Sequence, residues 1–251
     1  MSRRPSAYDP TRSLALLWGA RNRPGRSGLS ATGIIEAAIA LADEEGLEAL
    51  SMRRLAERLG VGTMALYTHV PGRAELIDLM IDRVYSELYS DPQSLPVEQP
   101  GTWREQLAYV AANNRAMFRR HPWMTQAVVR PAIGPNLIRK YDAELAPLDG
   151  IGLTDVEMDA ALTLVLTHVG GVESMRIGLE HERVGLSDGE WWQAHEPALL
   201  QGWQSDRFPL AGRIGAAASE AAGGLIDLDL TYGFGLDRII DGIELLLVRR
   251  R

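Results

Sequence analysis

Few of the 251 residues have the type and spacing to make or break a bond. The five histidines are His69, His121, His168, His181 and His195, and none belongs to an HExxH pair. No serine sits in a GxSxG elbow. The chain has no cysteine, which removes thiolate nucleophiles, disulfides and cysteine-held metals. Gly170-Gly171 lacks the lysine of a phosphate-binding loop, and Lys140 is the sole lysine. Asp43-Glu44-Glu45 reads as solvated helix surface. His168 and Glu173 lie about 500° apart around a helix and do not share a face. No enzyme, no cofactor and no metal site is expected. What remains is recognition chemistry, concentrated in one stretch.

Residues 50–76 read LSMRRLAERLGVGTMALYTHVPGRAEL. Leu55, Ala56 and Leu59 share one helical face, with Arg53, Arg54, Glu57 and Arg58 on the others. Gly60 stops this helix, because glycine adopts the left-handed conformation without a Cβ clash. Val61 plugs the turn and Thr63 is placed to cap a second helix over residues 64–70. Pro71-Gly72 ends it. Helix, glycine turn and short helix form a helix-turn-helix, whose second helix can enter the DNA major groove. Thr63, Tyr67, Thr68 and His69 can hydrogen-bond bases or phosphates, and Met64 can pack on a thymine methyl. Arg53, Arg54, Arg58 and Arg73 surround this second helix with positive charge, and Ala65 lies between the contact positions. The competing reading is a helical hairpin that merely has a basic surface.

Residues 51–73 resemble the DNA-binding domain of the TetR family of bacterial transcriptional repressors. The resemblance is close over residues 29–84. The rest of the chain is more loosely similar to the family's tetracycline-repressor-like C-terminal domain. It implies a homodimer on double-stranded operator DNA, released when a small-molecule effector enters the body and tilts the linker helix. A TetR-like regulator acting as an activator, or without a small-molecule ligand, is the alternative. Gly62 and Ala65 are smaller than the residues of many members. The family's tetracycline repressor holds its drug with magnesium, and no residues here match that site.

Charge supports the division. Residues 1–73 hold 10 arginines against 7 acids (+3) and residues 74–251 hold 16 basic residues against 26 acids (−10), giving the chain's −7. Phosphate repels an acidic body, so nucleic acid should meet the N-terminal end. No apolar run reaches the roughly 18 residues of a membrane span. The apolar patch Leu14 to Trp18 is shorter than the roughly 7–15 residues of a signal-peptide core. A cytoplasmic protein is expected.

The periodicity predicts an all-α fold: a three-helix head joined to a larger helical ligand-binding and dimerisation domain. The expected divisions are a flexible basic extension (1–28), the head (29–73), a linker helix (74–90) and the body (101–251). Arg21, Arg23 and Arg26 could form a minor-groove arm or a plain leader. Ser30 caps a helix to Glu45. Its Ile34 and Leu41 should pack with Leu47, Leu55, Leu59, Val61 and Leu66. A linker helix from Ala74 to Tyr89 buries Leu76, Met80, Val84 and Leu88, before a proline-rich loop at 91–100. Capping boxes at Thr102/Glu105, Thr154/Glu157 and Ser187/Glu190 open later helices. A helix from Pro135 to Leu148 should bury Leu137, Ile138, Tyr141 and Leu145. The longest helix runs from Thr154 to Arg183, with Gly170-Gly171 a point of bending or close approach. Residues 187–225 read as a short helix and a mobile connection, and a final helix spans residues 230–248.

Apolar walls with a few polar groups suit an organic effector. The candidate lining is Trp103, Asn114, Met117, Phe118, Trp123, His168, Glu173, Met175 and Trp192. The resemblance pairs the two late apolar helices into a four-helix dimer interface. The candidate residues are Leu162, Val165, Leu166 and Val169 with Leu236, Ile239, Ile240, Ile243 and Leu247. The alternative is that both helices line the monomer core.

Overall fold

Side chains written into the sequence set the ends of the head's helices. In the computed structural model, which describes residues 10–19, 29–128, 133–183, 185–187, 189–191, 193–195, 208–224 and 226–250, a first helix, α1 (Pro10–Gly19), precedes the head. In α2 (Ala31–Glu45) the Ser30 hydroxyl accepts a hydrogen bond from the Gly33 amide. In α3 (Met52–Leu59) Ser51 does the same for Arg54, and Gly60 closes the helix at φ 65°, ψ 29°. A short helix, α4 (Thr63–Tyr67), follows at once. Ile34, Leu41, Leu50, Leu55 and Leu66 are fully buried between these helices, while Leu47, Leu59 and Val61 seal the edge.

The linker α5 (Arg73–Tyr85) buries the expected Leu76, Met80 and Val84, and Leu88 is buried just beyond its end. The helix ends one turn before the expected Tyr89. Residues 86–89 form turns, and Tyr89 takes φ 55°. The body holds α6 (Trp103–Arg120), α7 (Met124–Ala127), α8 (Pro135–Leu145), α9 (Asp155–Arg183), α10 (Pro209–Ala222) and α11 (Leu228–Val248). At its centre α9 packs on both α6 and α11, burying Leu107, Val110, Leu162, Val165, Val169 and Ile240. Among the described residues there is no strand, and no helix is long and apolar enough to cross a membrane.

Several expectations change. Residues 10–19 are not part of a flexible extension: α1 lies against α5, with Leu17 and Ser13 buried. The Ser13 hydroxyl donates to Asp78 at 2.5 Å, and the Trp18 indole donates to the Ile133 carbonyl at 2.9 Å. Ten residues make a marginal helix alone, and tertiary packing supplies what composition did not reveal. Arg21, Arg23 and Arg26 lie outside the described residues. Gly170-Gly171 does not break α9, which runs unbroken. A Cβ at Gly170 would stand 3.8 Å from the Phe118 ring, an ordinary contact, so the packing there does not require a glycine. Within the stretch read as a short helix and a mobile connection, residues 209–222 form α10, closed by Gly223 at φ 61°.

The buried face of α8 is also different. Ile138 and Tyr141 are exposed, whereas Lys140, Ala143 and Glu144 are buried. Lys140 Nζ donates to Glu144 Oε2 at 2.6 Å. Glu144 Oε1 accepts from Tyr89 Oη at 3.0 Å and from Asn114 Nδ2 at 2.6 Å. Every partner of the carboxylate is thus supplied from another turn or another helix. Burial, and next the Glu144 charge, push the Tyr89 phenol far above its ordinary range. Removing one partner of a buried pair leaves the other charge uncompensated. Lys140→Met should therefore cost about 3–5 kcal/mol of folding stability, read by urea denaturation.

Candidate nucleic-acid interface and effector cleft

Leu66 and Val70 are fully buried one turn apart, which pins α4 against the rest of the head. At about 100° per residue this turns Met64 and Thr68 to the side opposite Leu66 and sets Tyr67 on the flank, about a quarter turn away. Met64 is 75% exposed and Tyr67 is 44% exposed. Thr68 is exposed, and its hydroxyl donates to the Ala65 carbonyl at 2.6 Å while its lone pairs stay open to a donor. Thr63, Ala65 and His69 are half-buried on the flanks. Two boundary expectations are corrected. Gly62 is the N-cap, so Thr63 is the first helical residue; and the helix ends at Tyr67, three residues short of Val70. His69 faces a groove of about 520 Å³ shared with α1, α2 and Leu79.

The arginines divide by role. Arg53 is 85% exposed beside the first turn of α3, in a loose 3.4 Å pair with Glu57. Arg54 and Arg58 are tied to Glu45 and Glu44 of α2, at 2.9 and 2.6 Å, and brace α3 against it. Arg73, grouped with the DNA-contacting residues on charge alone, is turned inward. Its Nε donates to the Leu50 carbonyl at 2.6 Å and its Nη2 to the Leu47 carbonyl at 2.7 Å. It fastens the start of the linker to the loop before α3.

Two joints connect head to body. In the first, α5 and α8 cap one another. Asp82 accepts from the Asn136 amide (3.0 Å), the Asn136 side chain (2.8 Å) and the Leu137 amide (3.2 Å), where Gly134 gives α8 no side-chain cap of its own. In return Arg139 donates to the carbonyls of Ser86, Leu88 and Tyr89, each at 3.1 Å, at the end of the linker. A carboxylate at a helix N-terminus and a cation at a C-terminus both suit the helix dipole. In the second joint, His121 Nδ1 lies 2.8 Å from Asp43 of α2, and its Nε2 lies 3.3 Å from Glu87. Trp123 Nε1 donates to the same Asp43 oxygen at 2.7 Å.

The nine residues expected to line one ligand pocket do not meet in one place. Phe118 and Glu173 line a cleft of about 370 Å³ together with Arg119, Pro122, Arg176 and Ile177. His168 lies one layer away, stacked on Tyr232 with its Nε2 3.0 Å from the Tyr232 carbonyl oxygen. Met117 is buried in the core. Asn114 belongs to the Glu144 network and Trp123 to the Asp43 joint. Trp103 begins α6 while Phe118 lies near its other end, 15 residues or roughly 22 Å along the axis. Met175 is 51% exposed on the outer side of α9. Trp192 lies outside the described residues. Sequence reasoning missed Arg115, Arg119, Arg176 and Asp229, which converge beside this cleft. The available signals were Arg115/Arg119 at i,i+4 and Glu173/Arg176 at i,i+3.

Residues 34–80 match the family described as bacterial regulatory proteins, tetR family, and residues 95–247 match the tetracyclin repressor-like C-terminal domain. The chain belongs to the TetR family. It is a DNA-binding transcriptional repressor. The HTH-type transcriptional repressor DrrR1 of Streptomyces coeruleorubidus is 41% identical over 250 residues, covering 97% of this chain and 88% of that protein. Tetracycline repressor protein class E of Escherichia coli is 30% identical over 225 residues, covering 89% and 94%. Among solved structures, ActR of Streptomyces coelicolor in complex with actinorhodin superposes with a TM-score of 0.69 at 28% identity, covering 87% of this chain and 98% of ActR.

For this TetR-family head, the geometry separates an outward-facing arginine from bracing ones. Arg53→Ala should leave the melting temperature unchanged and lower the salt slope of operator binding by about 0.9 per protomer, as the loss of one phosphate contact does. Arg73→Ala should lower the melting temperature by a few degrees, since two backbone carbonyls lose a charged donor. Calorimetry and fluorescence anisotropy at several salt concentrations read both effects.

Proposed function

We propose that the protein acts as a homodimeric repressor, with Met64, Tyr67 and Thr68 facing the operator, and that a small molecule in the body releases it. The observation that carries this reading is the pair of joints. The linker cannot shift against the body without breaking the charge-assisted hydrogen bonds of Asp82 or Arg139. Movement of α6 or α8 therefore reaches the head. ActR, solved with actinorhodin and with (S)-DNPA, supports ligand binding in a body of this fold.

The dimer face we infer differs from the one expected. Leu162, Val165, Val169, Leu236, Ile240, Ile243 and Leu247 are buried within the protomer, and Leu166 and Ile239 pack partly buried against the same core. Those side chains join α9 and α11 to each other and to α6, so they are already spent inside one copy. The face left for a partner carries Val156, Leu164 and Met175 on α9 and Leu230, Phe234 and Leu245 on α11, all exposed. Between them Thr163, Thr167, Gly171 and Gly178 are exposed and small, which suits close helix approach. An apolar stripe of this extent on a soluble protein marks an interaction surface. Two copies would bring four helices together and set the heads about one DNA turn, 34–36 Å, apart.

Leu164→Glu combined with Phe234→Glu should give a folded monomer by light scattering and circular dichroism, with operator binding lost in a gel shift on the DNA upstream of its own gene. A dimer that survives both substitutions would overturn the interface. Effector response is read by screening metabolites for a thermal shift and then for release of the operator. Stabilising compounds that all leave operator affinity unchanged would overturn it.

A further inference from the structure

We propose that Arg115, Arg119 and Arg176 form a receptor for an anionic group of the effector, closed in this structure by the protein's own Asp229. The proposal rests on the effector-binding reading above and adds the effector's chemistry, an aromatic or similarly flat carboxylic acid.

Three guanidinium groups, two from α6 and one from α9, converge on a single oxygen. Asp229 Oδ1 accepts from Arg115 Nη2, from Arg119 Nη2 at 3.2 Å and from Arg176 Nη2 at 2.8 Å. A carboxylate oxygen offers about two lone pairs, so three donors exceed what this oxygen can satisfy well. Arg176 Nε is buried and makes no hydrogen bond. The cluster thus has donor capacity that its present partners leave unused.

The two acids of the cluster differ in kind. The Glu173 side chain is 1% exposed and accepts from Arg115 Nε at 2.8 Å and Arg119 Nε at 3.3 Å, with Arg176 Nε also 3.3 Å away. It is a fixed floor that orients the three arginines. The Asp229 side chain is 68% exposed in the first turn of α11. Its hydrogen bond from Arg115 holds the carboxyl below its ordinary range, so it is ionised at neutral pH. Three positive charges meet the two negative ones of Glu173 and Asp229, and Glu180 on the wall of both clefts adds a third, so the site becomes net positive only when Asp229 is displaced.

Space adjoins the charge on both sides of Asp229. The cleft of about 370 Å³ offers the Phe118 ring, Pro122 and Ile177 as an apolar wall. A second cleft of about 590 Å³, bounded by Leu179 and Leu228, shares Arg176, Glu180 and Asp229 with the first. Both volumes fall in the range of small-molecule sites. A planar carboxylate matches the fork of an arginine, and its apolar body would lie on Phe118. Displacing Asp229 would unfasten the first turn of α11 from α6 and α9 while Asp227 still caps the helix, its Oδ1 accepting from the Asp229 and Leu230 amides. Leu230 and Phe234 follow directly on the proposed dimer face.

The competing account is that the five residues only staple α11 to the body. Titration calorimetry with 1-naphthoate, and with 1-naphthamide as its neutral counterpart, separates the two. The receptor predicts that Asp229→Asn binds naphthoate about tenfold more tightly than the wild type, because an internal competitor is gone. It also predicts weak amide binding throughout, and loss of naphthoate binding in Arg119→Met, a partly exposed position where folding is checked by circular dichroism. Equal binding of acid and amide, or no naphthoate binding to a folded Asp229→Asn protein, would overturn the receptor. The two readings fail separately. A metabolite that releases the operator equally from wild type and Arg119→Met would overturn the receptor and keep the effector mechanism. Naphthoate that binds at the arginines without altering operator affinity keeps the receptor and counts against its coupling to the head.

Discussion

The exchange of caps between α5 and α8 is the constraint on which the rest of the architecture depends. Helix α8 starts after Gly134 with Pro135 at its first position, so its opening amides find no acceptor of their own. They are met by Asp82, a buried carboxylate that would be costly to hold there without those donors. At the far end of the same short stretch, the carbonyls left by the fraying of α5 are met by Arg139. Each helix therefore has a finished terminus only when the other is in place. This explains why Tyr89 can persist at positive φ: its carbonyl is held by Arg139 and its hydroxyl by Glu144.

The head adds a second kind of economy. Its formal excess of arginine is partly neutralised by α2, whose Glu44 and Glu45 hold Arg58 and Arg54. Charge that composition assigned to DNA thus serves to join two helices. The groups left facing outward are a narrower set, Arg53 in the first turn of α3 and the outward side chains of α4. The joint at His121 places the acidic end of α2 against the body, where Asp43 receives both the imidazole and the Trp123 indole.

What was legible in the sequence was local. Ser30, Gly60, the Thr102/Glu105 and Thr154/Glu157 boxes and the proline stops mark helix ends through contacts within four residues, so spacing alone reveals them. The outward set Met64, Tyr67 and Thr68 was legible too, because Leu66 between them had to point inward. What failed needed a partner distant in the chain. On α8, Ile138 and Tyr141 had the apolar pattern, yet Lys140 and Glu144 took the interior because Tyr89 and Asn114 were waiting for them. On α9 and α11 apolar residues occupy more than one face, and periodicity does not say which face meets its own body and which is left over. The arginine cluster draws on residues 115, 119, 176 and 229, and Arg73 found its acceptors 23 and 26 positions upstream.

The five-residue length of α4 has a consequence for how such a regulator diversifies. Its foundation rests on one buried helical residue, Leu66, with Val70 just beyond. The side chains that would touch bases contribute little to the packing that holds them. Foundation and vocabulary are therefore written in separate letters. A lineage can exchange Met64, Tyr67 or Thr68, the side chains proposed to face the operator, while the head keeps its shape.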